Sequence, residues 1–123
     1  MPWNLDSDRP IFIQIIEKIQ MDIICGIYQP GDKLPSVREL AQTASVNPNT
    51  MQKALSELER TSLVYSQRTS GRFITEDKAM IEQLKSKLAK EIISEFLESM
   101  NRLGIQREEA LLLMKEYDGE ESK

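Results

Sequence analysis

The chain has 123 residues, 40% of them apolar and 29% charged, with a formal net charge of −4, one cysteine and no histidine. That is one domain, or one small domain with an appendage, of ordinary globular composition, and its apolar clusters are too short and too broken by charge to span a bilayer. The absence of histidine and the single cysteine exclude an internal disulfide, histidine acid–base chemistry and Cys/His zinc sites, so neither an enzyme nor a metal or other cofactor is expected.

Residues 1–9 read as an extended lead-in that Trp3 and Leu5 can pin to the body. Asp8-Arg9-Pro10 suits a helix start, with proline in the first turn. From Pro10 to Cys25 the apolar positions 12, 15, 16, 19, 23 and 24 recur at helical spacing, with Ile13 widening the stripe and Gly26 ending the helix. Cys25, at the end of this apolar stretch, is expected to be a buried, inert thiol. Residues 27–35 form a connector, with a turn at Pro30-Gly31 and an extended piece at Asp32-Lys33-Leu34.

Ser36-Val37-Arg38-Glu39 is a capping box, and the second helix runs from it to about Thr43 with Val37, Leu40 and Ala41 facing inward. Ala44-Ser45-Val46 makes a turn. Asn47 caps a third helix, Pro48 fills its first position, and Met51, Ala54, Leu55 and Leu58 form its buried stripe up to about Thr61. Residues 63–67 and 72–75 read as two strands joined by a turn at 68–71, a hairpin wing beside the helix-turn-helix. Glu76-Asp77 opens a long amphipathic helix with Ile81, Leu84, Leu88, Ile92, Phe96, Met100 and Leu103 along one side, about seven turns in all. Gly104 ends it. A last helix from Arg107 to about Tyr117 carries Ala110, Leu111, Leu112 and Met114, and residues 119–123 are a polar tail. The expected fold is mainly α with a small β-hairpin: a winged helix-turn-helix at 1–75 and a two-helix dimerisation tail at 76–123.

Charge is unevenly spread. Residues 33–72 hold six basic side chains against three acidic ones, whereas residues 76–123 hold eight against twelve. The helix-turn-helix and wing are locally basic, as a nucleic-acid reader requires, inside a chain that is acidic overall. Asn47, Asn49, Thr50, Gln52 and Lys53 lie in the first two turns of the third helix, where a recognition helix meets base edges. Amides can pair with adenine at two points, threonine can pack on a thymine methyl, and Lys53 most simply meets a phosphate. Ser36 either caps its helix alone or also donates to a phosphate at the helix N-terminus. In the wing, Gly71 permits close approach, and Arg68 and Arg72 can grip phosphate or enter the minor groove. The alternative for these groups is a solvated surface, a salt bridge at Arg38, or a hairpin that only protects a sheet edge.

The run Pro30–Ala41, Pro-Gly-x-x-Leu-Pro-Ser-x-Arg-x-Leu-Ala, resembles the GntR family of bacterial winged-helix transcription regulators. Asn47-Pro48-Asn49-Thr50 with Ala54 and Glu57-Leu58-Glu59 is similar to its YtrA-type branch, and Arg68 with Gly71-Arg72-Phe73-Ile74 agrees. The sequence departs from the family at Ser62, where glycine is usual, and at Thr69-Ser70 and Arg72 in the wing tip. The resemblance implies that Arg38 contacts DNA, that the tail replaces a large effector domain, and that the protein is a cytoplasmic repressor of transcription. A lone cysteine and the lack of a leader with a cleavage site agree with that compartment.

Two helices alone bury too little to stabilise a separate domain. The tail stripe, including Leu111 and Leu112, is therefore expected to pair two copies, matching a palindromic double-stranded DNA operator with half-sites ~34 Å apart or a multiple. The competing reading is a winged-helix protein-interaction module that does not bind DNA. No residue cluster marks an effector pocket, and a small molecule between the tail helices or at the seam between copies stays open.

Overall fold

Helix α1 (Ile11–Ile24) forms because isoleucines recur on one face, and Ile15, Ile19 and Ile23 are buried there. The structure, a computed structural model, describes residues 3–121, with side chains through Tyr117. Pro10 is the N-cap of α1 rather than its first helical residue, and no side chain caps it. Ile13 does not widen the buried stripe; it is exposed, and Gln14 beside it is buried instead. The Gln14 amide accepts from Asp6 N–H at 2.6 Å and donates to the Asp6 and Arg9 carbonyls at 2.6 and 3.1 Å. It thereby fastens the lead-in, with Trp3 packed on the core. Cys25 is exposed, contrary to expectation. Two positions beyond Ile23, at about 100° per residue, it points away from the buried face.

Helices α2 (Val37–Ala44) and α3 (Pro48–Arg60) follow, joined through Ser45 in the left-handed conformation at φ 59°. All four residues of the α3 stripe, Met51, Ala54, Leu55 and Leu58, are buried, and α3 packs against both α1 and α2. Strands β1 (Val64–Gln67) and β2 (Gly71–Ile74) pair antiparallel, Val64 opposite Ile74 and Gln67 opposite Gly71. Leu63 and Thr75 fall just outside the strands, where Thr75 N–H donates to the Leu63 carbonyl at 2.9 Å. The extended piece at residues 32–34 lies along β2: Lys33 bridges Phe73, and Leu34 N–H donates to the Arg72 carbonyl at 2.8 Å. The connector thus ties α1 to the hairpin.

Ser62 takes φ 69°, a left-handed conformation that favours glycine. That is the physical reason glycine suits this position.

Helix α4 (Lys78–Arg102) starts where Asp77 Oδ1 accepts from Met80 N–H at 3.2 Å, and Gly104 follows its end. Helix α5 (Arg107–Glu121) runs past Tyr117 through Gly119 instead of ending there. Of the expected polar tail, residues 122–123 lie outside the described residues.

The chain divides into two compact units, residues 1–84 and 85–123. The first extends past residue 75 because Met80, Ile81 and Leu84, in the opening turns of α4, pack against its core.

Candidate nucleic-acid interface

The recognition helix is fixed from beneath by its apolar stripe. Asn47 caps it, its side chain accepting from Asn49 N–H at 2.7 Å, and Pro48 occupies the first position, where no N–H is required. With Met51, Ala54, Leu55 and Leu58 inward, helical spacing turns Asn49, Gln52, Lys53 and Ser56 outward, and all four are exposed. Thr50 is half-buried, partly a packing residue. Gln52 Nε2 donates to Ser56 Oγ at 3.1 Å. Ser56 was not among the residues singled out from sequence; one turn beyond Gln52, the i,i+4 step would have found it. Lys53 Nζ sits over the Phe12 ring, 3.9 Å from its centroid.

The capping box is formed at the start of α2. Glu39 N–H donates to Ser36 Oγ at 3.1 Å, and Ser36 N–H donates to Glu39 Oε1 at 3.0 Å. Hydrogen bonding to the Ser36 backbone and then to its side chain holds the Glu39 carboxyl below the usual carboxylate range, and the charge of Lys33 adds to this. Arg38 is exposed in the first turn.

The α2 start and the wing tip meet in one cleft of about 500 Å³, which brings Ser36 and Arg38 together with Thr69, Ser70, Gly71 and Arg72. Lys33 lines the same cleft and was missed from sequence, where it counted only as part of the local charge. Its stem crosses Gly71 so closely that a Cβ there would lie 3.1 Å from Lys33 Cε, and Gly71 also takes φ 111°. The backbone conformation is what favours glycine, since the flexible end of the Lys33 stem can give by a few tenths of an ångström.

The two wing arginines differ. Arg68 stands exposed in the turn. Arg72 is half-buried and ion-paired with Glu59 of α3. It therefore fastens the wing to the recognition helix, a role the expectation of a free DNA contact did not include. Glu57 and Arg60 pair on the outer side of α3, and the guanidinium holds the Glu57 carboxyl below its usual range.

In the second unit the expected seam residues are mostly open. Leu103 is 74% exposed, Leu112 60%, Ile92 59%, Leu111 51% and Phe96 38%, while Leu88 and Met100 are half-buried. Phe96, Met100, Leu111, Leu113, Met114 and Tyr117 line a mainly apolar groove, together with Lys115 and Glu116. Ile81 and Leu84 belong elsewhere, since they pack on the core of the first unit. Among the described residues no acidic, histidine or cysteine cluster suits a metal ion, and no helix is long and apolar enough to cross a membrane.

Residues 13–74 match the family described as bacterial regulatory proteins, gntR family. The HTH-type transcriptional regulator YhcF of Bacillus subtilis is 41% identical over 117 residues, covering 95% of this chain and 97% of YhcF. The HTH-type transcriptional repressor YtrA of the same organism is 36% identical over 115 residues, covering 93% of this chain and 88% of YtrA. A GntR family transcriptional regulator from Listeria monocytogenes superposes with a TM-score of 0.85 at 44% identity, over 91% of this chain and 98% of that one. The DNA-binding domain of AraR in complex with operator ORX1 superposes with a TM-score of 0.52 at 30% identity, over 61% of this chain and 92% of that one.

Proposed function

The chain belongs to the gntR family of bacterial regulatory proteins, and from that premise we propose that it represses transcription by holding a palindromic operator as a homodimer. As a family member of YtrA type it is a DNA-binding transcription regulator and not an enzyme. Repression is the role named for YtrA, and operator DNA is the partner in the AraR complex.

The observation that carries the proposal is the outward face of α3, where Asn49, Gln52, Lys53 and Ser56 stand exposed over a fully buried stripe. In this reading α3 enters the major groove. Asn49 and Gln52 meet base edges, and Asn47 and Thr50 shape its leading end. Lys53 meets a phosphate. Ser36, Arg38 and Lys33 take the adjacent backbone from one side of the cleft, and Arg68 and Gly71 take it from the wing. Arg72 supports the wing from behind.

The homodimer is supported by the apolar side chains exposed in the second unit. A two-fold pair would bury Leu88, Ile92, Phe96, Met100, Leu103, Leu111 and Leu112, and would present two α3 helices to two half-sites. The cytoplasm is the compartment this reading assigns, because that is where a bacterial regulator meets operator DNA.

Selection of bound sequences from a random duplex library, followed by a gel shift, tests this reading. An inverted repeat should emerge and be retarded at moderate salt, with affinity falling steeply as salt rises. A folded protein that enriches no sequence and retards no duplex would overturn it, and co-purification with a protein instead would favour an interaction module.

A further inference from the structure

We propose that Phe12 is a positioning residue for DNA binding: its ring, on α1, holds the Lys53 ammonium of α3 in place for a backbone phosphate. The proposal rests on the DNA-binding reading above, with Lys53 as a phosphate contact.

Lys53 Nζ lies 3.9 Å from the centroid of the Phe12 ring, well inside the ~6 Å over which a cation is drawn to an aromatic face. Phe12 is half-buried and packed against the core, so the ring is a fixed platform. The Lys53 side chain is exposed, and the ring is its ammonium's one partner among the described residues. Helices α1 and α3 pack directly on each other, which sets the ring and the lysine in register.

The chemistry of this partner matters. A lysine stem is long and flexible, and ordering it on binding opposes association. A carboxylate would order the stem too, but would also cancel its charge. Arg72 shows that outcome, paired with Glu59. The ring is uncharged and attracts the ammonium through its quadrupole alone. The ammonium keeps its full charge, and of its three donors those turned away from the ring stay free for phosphate oxygens. Helix α1 thus tunes the reading helix without touching DNA.

The test uses the full chain and a mixed-sequence duplex at low salt, because a phosphate contact is independent of sequence. F12L keeps apolar bulk and removes the aromatic face; it should weaken binding about threefold. K53M should lower the slope of log affinity against log salt by about 1. In the K53M background F12L should have no further effect, and F12Y and F12W, which keep an aromatic face, should bind duplex like the unsubstituted protein. In the free protein the ring current should shift the Lys53 ε-methylene protons upfield, and F12L should abolish the shift.

Equal weakening by F12L with and without K53M would overturn the proposal, because Phe12 would then act through the fold and not through Lys53. Unshifted Lys53 protons in the unsubstituted protein would overturn it as well, and F12W gives the ring-retaining control if F12L melts early. Failure of the unsubstituted protein to bind any duplex is a different result: it removes the DNA-binding reading, and this proposal with it.

Discussion

The two units of this chain handle apolar surface in opposite ways. In residues 1–84 the stripes of α1, α2, α3 and the hairpin meet in one core, where Ile15, Ile19, Met51, Ala54, Leu55 and Ile74 are fully buried. In residues 85–123 Ala110 is the single buried side chain among the described residues, while Ile92, Leu103, Leu111 and Leu112 are more than half exposed. The helices of both units carry apolar side chains, in stripes on α1 to α4 and in the unbroken run Ala110–Met114 on α5. The difference teaches that a stripe tells which side of a helix avoids water and not what covers it. The first unit covers its own; under the proposed homodimer the second relies on another copy.

Experiments can break or sharpen this contrast. The largest effect is expected from Leu111→Glu combined with Leu112→Glu. Both side chains are exposed within the chain, so charge there leaves the single copy's fold intact. Sedimentation should report a monomer, and operator affinity should fall about 10²- to 10⁴-fold as two linked half-site contacts become one. A dimer of unchanged affinity would refute the contrast. Leu55→Ala acts within the self-sufficient unit. With Leu55 at 0% exposure, the cavity should cost about 2–5 kcal/mol in denaturant unfolding.

Arg38→Ala should leave the melting temperature unchanged and weaken operator binding by ~1–3 kcal/mol if the guanidinium meets a base; unchanged binding would remove it from the interface. Ser36→Ala deletes the α2 cap and should cost about 1 kcal/mol of stability at neutral pH. The partner carboxyl of Glu39 has a lowered pKa in the fold, so its contribution is complete above about 4.5 and is lost as pH falls through the lowered value. The gap between Ser36→Ala and the parent should therefore narrow in acid. The smallest effect is a gain. Ser62→Gly relieves the left-handed φ of 69° and should stabilise by less than ~1 kcal/mol, because glycine's greater unfolded-state freedom offsets part of the relief.

Much of the fold was legible because its signals are local. The capping box at Ser36 and Glu39, the Asn47-Pro48 start, the Met51 to Leu58 stripe and the stop at Gly104 each depend on partners within about one or two helical turns. The outward set Asn49, Gln52 and Lys53 followed directly, since one face of a helix is the complement of the other. Family resemblance carried what spacing could not, namely that such a face reads DNA.

Other features turn on residues far apart in the chain. Gln14 is buried because the lead-in backbone at Asp6 comes back to it. Glu59 claims Arg72 across thirteen residues, Lys33 crosses Gly71 of the wing, and Phe12 receives Lys53 from two helices away. By itself the sequence determined where helices begin and end and which faces are apolar, because hydrogen bonds and caps act over a few residues. Only the tertiary structure decided which exposed charges are free, which are held and which apolar faces stay open, because those depend on where separate elements come to rest against each other.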